Sequence, residues 1–154
     1  MPPKAEKLRL RITTPDDIKY IDEVDMVVIR STSGDIGLMP GHAPAAFILD
    51  DGVMRIKDGE DELRMAVFGG IAQIRNNRVT VIANDAQWPD DIDPARVETE
   101  RARIERRLKE SKDDLEIQKD QVLMRRTLVQ MEVSSYPLIA KRSIGADSAG
   151  KAGK

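Results

Sequence analysis

The first part of the chain alternates between apolar and polar positions with a period of two. Lys7 to Thr13 alternates strictly, and Val24 to Ile29 is a β-branched apolar run. A period of two places successive side chains on opposite faces of a strand, so both segments are predicted to be β-strands. Roughly nine or ten such segments recur every 8–12 residues, which predicts an antiparallel β-sandwich.

Two short polar segments separate pairs of predicted strands. Asn76-Asn77 lies between the alternating segments 71–75 and 78–82. Asparagine tolerates a positive φ, so this pair predicts a two-residue hairpin turn. Asp58-Gly59 lies between segments 53–57 and 62–67 and predicts a second hairpin.

After a polar, proline-containing break at residues 87–91, the apolar period becomes helical. Asp93 is predicted to cap the first helix and Pro94 to occupy its first position. Its apolar positions are Val97, Ile104 and Leu108. The second helix is predicted from Asp113 or Asp114 to Val133, with a stripe of Leu115, Val122, Val129 and Val133, widened by Ile117, Met124, Leu128 and Met131.

The predicted fold is therefore a β + α architecture. An N-terminal antiparallel β-sandwich of about ten strands precedes a C-terminal antiparallel two-helix hairpin. We expect the sandwich at residues 1–88, the helical hairpin at 89–140 and a flexible tail at 141–154. Two helices with so narrow an apolar stripe are marginal alone, so the hairpin needs support from the sandwich, a ligand or another protein.

The near-neutral net charge of −2 conceals an asymmetry along the chain. Residues 1–90 carry 11 basic and 15 acidic side chains, whereas residues 121–154 carry six basic and two acidic ones. An acidic sandwich joined to a basic arm indicates acidic protein partners for that arm.

Composition excludes several classes of function. The chain has no cysteine and one histidine, so disulfides, thiol nucleophiles and zinc sites built on Cys or several His are excluded. Aromatic residues make up only 3% of the chain, too few for a base-stacking surface, and we expect no nucleic-acid partner. No apolar run reaches the roughly 20 residues of a membrane span, and no signal peptide is evident, so the chain is expected inside the cell without direct membrane insertion.

His42 lies in a loop that contains two prolines and two glycines. A general-base histidine usually needs an orienting carboxylate and a nearby nucleophile, and neither is evident here. We interpret His42 as a residue that fixes the loop or contacts a partner.

The helices carry a second group of candidate residues. Arg96, Arg103 and Arg107 share one face of the first helix, and Arg125 and Arg126 lie past the middle of the second. Arg126 is expected to approach the Arg96–Arg103 region, where converging guanidinium groups would suit a phosphate. The alternative is a solvated face with salt bridges within each helix.

Two motifs connect the chain to a known family. Residues 34–44, Gly-Asp-Ile-Gly-Leu-Met-Pro-Gly-His-Ala-Pro, closely resemble the G-x-[IL]-G-x-x-P-G-H-A-P signature of the epsilon subunit of bacterial F-type ATP synthases. Residues 69–83 resemble that family's G-G-x-x-x-[VI]-x-x-N-x-V-T-V-L-A motif. The similarity extends from about Leu8 to Tyr136.

The resemblance implies a non-catalytic rotor subunit of a proton-translocating ATP synthase, at the cytoplasmic face of the cell membrane. Family members bind the gamma subunit and the ring of c subunits, and Asp35 and His42 would face that ring. The helical hairpin of the family lies folded or extends into the catalytic head and inhibits ATP hydrolysis. Arg125 and Arg126 would then meet an acidic segment of the beta (and alpha) subunits.

Some bacterial members also bind ATP in the folded hairpin through an [IL]-D-x-x-R-A motif. The matching residues would be Ile92, Asp93, Arg96, Arg103 and Arg126. Val97 replaces the motif's alanine, Gln130 replaces a second arginine and Gln87 replaces an acidic residue. The resemblance therefore implies that regulatory ATP binds weakly or not at all, and no cofactor or metal is required.

Two further hypotheses remain open from the sequence. The chain could serve as an ATP sensor, which is compatible with the rotor role. It could instead be an interaction module that inserts the hairpin tip, Asp113-Asp114, into a larger machine. A stand-alone enzyme lacks any supporting set of residues.

Overall fold

A computed structural model describes residues 6–136 of the chain. The predicted tail at 141–154 and the last residues of the predicted hairpin unit lie outside this range. The strands are β1 (Leu8–Thr13), β2 (Ile18–Val24), β3 (Met26–Ser31), β4 (Gly34–Leu38), β5 (Ala45–Leu49), β6 (Gly52–Asp58), β7 (Asp61–Arg75) and β8 (Arg78–Gln87).

The strands run in the order β2-β1-β8-β7-β5-β3-β4, and β6 pairs with both β3 and β7. All of these pairings are antiparallel except that of β1 with β8. They enclose one apolar core, which includes Leu8, Ile29, Met65, Ile74 and Trp88. The predicted β-sandwich is confirmed.

The described residues contain eight strands instead of the nine or ten expected. The predicted strands 62–67 and 71–75 are both parts of the 15-residue strand β7. Gly69 and Gly70, with φ values of 64° and 116°, allow the chain to turn between the two halves. A Cβ on Gly70 would lie 2.1 Å from the Ile82 carbonyl oxygen, so only glycine fits there. The first half of β7 pairs with β6 and the second with β5.

Both predicted hairpin turns are confirmed. Asn76 and Asn77 have φ values of 51° and 59° and connect β7 to β8. Gly59, at φ 62°, lies in the turn between β6 and β7.

The two predicted helices form as expected. A short 3₁₀ turn at Pro89–Asp91 leads into α1 (Pro94–Glu110), and α2 (Asp114–Ser134) follows after three residues. The Asp93 carboxylate caps α1 by accepting from the backbone N–H groups of Ala95 and Arg96, at 3.1 and 3.3 Å. Asp113 caps α2 in the same way through Leu115 N–H at 3.0 Å.

The predicted apolar stripe of α2 is buried only in its second half. Val129 and Val133 are buried, but Leu115 and Val122 are 59% and 55% exposed. Only the second half of α2 has the sandwich to pack against. In the first half the buried position is Asp120, whose carboxylate accepts a hydrogen bond from Arg107 Nη2 of α1 at 2.9 Å.

Candidate functional site

The helical hairpin packs on the sandwich through a second apolar cluster. Its buried members come from β7, the segment before α1, and both helices: Ala66, Phe68, Ile92, Val97, Val129 and Val133. The start of α1 therefore meets the end of α2, as an antiparallel hairpin requires. The sandwich therefore provides the support that the two marginal helices need.

Arg126 makes the most specific contact across this interface. Its Nη2 donates to the Asp85 carboxylate on β8. Its guanidinium carbon lies 4.1 Å from the ring centroid of Phe68, which is buried. One cation is thus held by a carboxylate and an aromatic face, both supplied by the sandwich.

Polar contacts surround Arg126 on the same interface. Gln130 Nε2 donates to Gln87 Oε1 at 2.8 Å. Arg125 Nη1 lies 3.7 Å from Asp50 Oδ1. We call the set Arg126, Asp85, Phe68, Gln130 and Gln87 the latch, because it joins α2 to β7 and β8.

Beside the latch, the charged form of the Asp51 carboxyl is disfavoured. Burial raises the pKa of the Asp51 carboxyl above its ordinary 3.8, and the neighbouring Asp50 raises it further. Arg126 and Arg125 act in the opposite direction on this pKa. The folded position of α2 thus brings its two arginines towards this acidic edge of the sandwich.

The residues expected to bind ATP are distributed over different environments. Ile92 is buried in the apolar cluster, and Asp93 caps α1. Arg96 and Arg103 are exposed and form no ion pair with any described residue. The contacts of Arg126 are with the sandwich and not with α1.

A cleft of about 510 Å³ lies at the other end of the hairpin. It is lined by Arg107, Glu110, Ser111, Glu116, Lys119, Asp120 and Leu123. None of the residues expected to bind ATP lines this cleft.

The loop residues Asp35 and His42 have separate environments. Asp35, on β4, pairs with Arg30 directly opposite on β3, and this hydrogen bond raises the pKa of the Arg30 guanidinium. His42 Nδ1 lies 2.7 Å from the Ala43 carbonyl oxygen, and its ring meets Phe47 edge-on at 6.3 Å. Both contacts are local, with the loop itself and with the strand that follows it.

The outer face of the sandwich carries an exposed apolar row that the sequence pattern did not predict. Ile48, Ile71 and Ile82 stand directly opposite one another on β5, β7 and β8, and are 66%, 50% and 58% exposed. The row continues through Thr13 to Ile18, which is 37% exposed. We call these five positions the isoleucine row. The only signal in the sequence was an isoleucine at an outward-facing position of each strand. Alignment of these isoleucines into a row depends on the strand register, which cannot be read from the sequence.

Within the described range, no helix is long and apolar enough to cross a membrane. The same residues contain no cluster of three or more His, Asp or Glu side chains arranged to hold a metal ion.

Comparisons with known proteins agree with the fold. The family model of the ATP synthase delta/epsilon chain β-sandwich domain matches residues 7–89, more than half of the chain. The chloroplastic ATP synthase epsilon chain of Lotus japonicus is 36% identical over 125 residues, covering 81% of this chain and 94% of that protein. The ATP synthase epsilon chain of Bacillus velezensis is 35% identical over 128 residues, covering 82% and 96%.

A solved structure shows the same architecture at low sequence identity. A chain in the cryo-EM structure of the Euglena gracilis mitochondrial ATP synthase, comprising OSCP, F1 and c-ring, superposes with a TM-score of 0.74. The identity is 18%, over 84% of this chain and 82% of that one, so this likeness concerns the fold.

Proposed function

The chain belongs to the ATP synthase epsilon chain family, whose members are non-catalytic subunits of the rotary complex, and on that premise we propose how its surfaces serve this role. The outer face of the sandwich binds the gamma subunit, and the 34–44 loop, with Asp35 and His42, faces the c ring. The subunit is peripheral, at the cytoplasmic face of the cell membrane. It transmits rotation of the ring through gamma to the head.

The isoleucine row is the observation that supports gamma binding. Three isoleucines, each at least half exposed, lie side by side on adjacent strands. Scattered exposed apolar residues need no explanation, but a contiguous apolar row across adjacent strands indicates a covered surface. A rotor subunit has to remain attached to gamma while torque passes between them, and this row provides the apolar part of that attachment.

We further propose that the hairpin regulates ATP hydrolysis by leaving the sandwich. In the folded position, the latch holds α2, while Leu115, Val122 and Leu128 stay exposed on the hairpin. Extension of the hairpin would cover these residues in the head and would free Arg125 and Arg126 to meet acidic segments of the beta and alpha subunits. Each surface ion pair is weak, so the arginines act together with the apolar contacts.

We propose that the folded hairpin needs no ATP. The Asp85 carboxylate already supplies an anionic partner for Arg126, and Gln130 donates a hydrogen bond to Gln87. Calorimetry of the chain with millimolar ATP is expected to show no heat. Heat that disappears in an Arg126→Ala variant would instead establish a nucleotide site.

The test of the regulatory role is ATP hydrolysis by the assembled enzyme, with the full chain or with a chain truncated after Trp88. We expect faster hydrolysis with the truncated chain, provided that it co-purifies with gamma in equal amount. Equal rates at equal incorporation would show that the hairpin is passive.

A further inference from the structure

We propose that a row of arginines on the outer face of the sandwich binds an acidic segment of the gamma subunit. This inference rests on the proposed function, because it assigns a second part of the surface through which the chain meets gamma. We call Arg9, Arg75 and Arg78 the arginine ladder.

The strand register brings the three side chains together. Arg75 stands opposite Arg78 across the β7–β8 hairpin, and Arg78 stands opposite Arg9 across the β8–β1 pair. Neighbouring strands are about 4.8 Å apart, so the ladder places three cations across about 10 Å. All three are exposed, and their strand neighbours Leu8, Leu10, Ile74 and Val79 are buried, which fixes the ladder on the outer face. Arg11 follows two residues along β1 on the same face.

No carboxylate among residues 6–136 neutralises the ladder. None of its arginines forms an ion pair with a residue in the 6–136 range. Glu23 stands opposite Arg9 on β2 without pairing with it, and the Glu6 carboxylate contacts Asn77 Nδ2 at 3.4 Å. Like charges directly opposite in a sheet destabilise it. An anionic partner would relieve this repulsion, and guanidinium forks suit carboxylates in particular.

The charge of the surrounding domain favours a local protein contact over an anionic membrane surface. Residues 1–90 carry 15 acidic and 11 basic side chains, so the sandwich as a whole is repelled by a negatively charged bilayer. Attraction of a negatively charged partner is confined to the ladder. A short acidic protein segment can match such a small patch without meeting the acidic remainder.

Position on the face favours the partner proposed for the isoleucine row, gamma. Along β7, the ladder and the isoleucine row are separated by four residues, from Ile71 to Arg75, or about 13 Å. A standard interface buries about 800 Å² per partner, a patch roughly 30 Å across, so one partner seated on the isoleucine row also covers the ladder.

The ladder lies at a defined end of the sandwich. Asn77, in the turn beside Arg75 and Arg78, accepts a hydrogen bond from Gly41 N–H at 2.8 Å. This bond ties the ladder end to the loop proposed to face the c ring. The acidic segment therefore belongs to the part of gamma nearest the ring.

The test measures the affinity of the chain for purified gamma of its own complex at low and high sodium chloride. The variant carries Arg9→Gln, Arg75→Gln and Arg78→Gln, and its matched control carries Arg106→Gln, Lys112→Gln and Lys119→Gln on the exposed hairpin. We expect the ladder variant to bind roughly tenfold more weakly at low salt, with a flatter salt dependence. The control should behave like the unchanged chain.

Two further measurements separate recognition from folding. The ladder variant should melt no lower than the unchanged chain, because it loses only like-charge repulsion. A version with lysine at the three positions should keep the salt dependence and lose part of the affinity, because lysine keeps the charge but not the fork.

The outcomes are distinguishable. Equal affinity and equal salt dependence of the ladder variant and the unchanged chain would overturn the ladder proposal and leave the rotor role standing. Failure of the unchanged chain to bind gamma would overturn both. Ladder-dependent sedimentation with phosphatidylglycerol vesicles, together with ladder-independent binding to gamma, would replace the proposal with lipid recognition.

Discussion

Replacing Arg126 with alanine should weaken the docking of the hairpin on the sandwich. Arg126 and Asp85 are each 38% exposed, so solvent screening limits their ion pair to about 0.5 kcal/mol. The contact with the ring of buried Phe68 adds about 1 kcal/mol. Together these contacts contribute about 1.5 kcal/mol, and every 1.4 kcal/mol changes an equilibrium tenfold. The undocked population should therefore rise roughly tenfold in Arg126→Ala.

Thiol labelling measures this population directly, because the chain has no cysteine of its own. Val133 is fully buried in the docking cluster, so a Val133→Cys background is labelled only when α2 leaves the sandwich. In that background, Arg126→Ala should be labelled about tenfold faster. Arg126→Lys should show a smaller rise, because it keeps the charge. Arg106→Ala, an exposed arginine on α1, serves as the control and should change nothing. A labelling rate in Arg126→Ala equal to that of the control would refute the latch.

Three other predictions test separate parts of the structure. Gly70→Ala should cost about 3 kcal/mol in urea unfolding, because the added Cβ would meet the Ile82 carbonyl oxygen at a positive φ. A loss below about 1 kcal/mol would show that β7 does not need glycine there. The folded-state pKa of Asp51 lies above 3.8, so folding disfavours its charged form. That carboxyl thus costs no stability below pH 3.8 and becomes destabilising as pH rises through its folded-state pKa. Asp51→Asn should accordingly raise the melting temperature at pH 7, with a gain that disappears near pH 3; an equal gain at both pH values would contradict the assignment. Asp120→Ala should destabilise the hairpin by leaving Arg107 without its partner, as a fall in the melting temperature of the full chain, and an unchanged value would show that this pair is dispensable.

Local signals explain what could be predicted from the sequence. The caps Asp93 and Asp113 and the Asn76-Asn77 turn act within a few residues of themselves, so the helix starts and the hairpin were predictable. The motif at residues 34–44 was likewise visible without any tertiary information.

Features that depend on tertiary arrangement were not predictable from the pattern. The two predicted strands 62–67 and 71–75 form the single strand β7, and this depends on Gly70 lying against the Ile82 carbonyl of the neighbouring strand. The stripe of α2 is only partly buried because only half of that helix reaches the sandwich. Arg126 was expected to approach the arginines of α1, but Asp85 and Phe68, which are distant in sequence, determine its contacts. The isoleucine row and the arginine ladder likewise require the register of strands that are far apart along the chain.

We propose that this chain attaches to gamma through the outer face of its sandwich. The most direct measurement of this attachment is co-purification of gamma with the tagged chain, compared with a variant carrying Ile48→Gln, Ile71→Gln and Ile82→Gln and a control with valine at the same positions. We expect gamma to be recovered with the unchanged chain and the valine control and to be largely lost with the glutamine variant. Recovery of gamma in equal amounts with all three, or with none, would contradict this proposal.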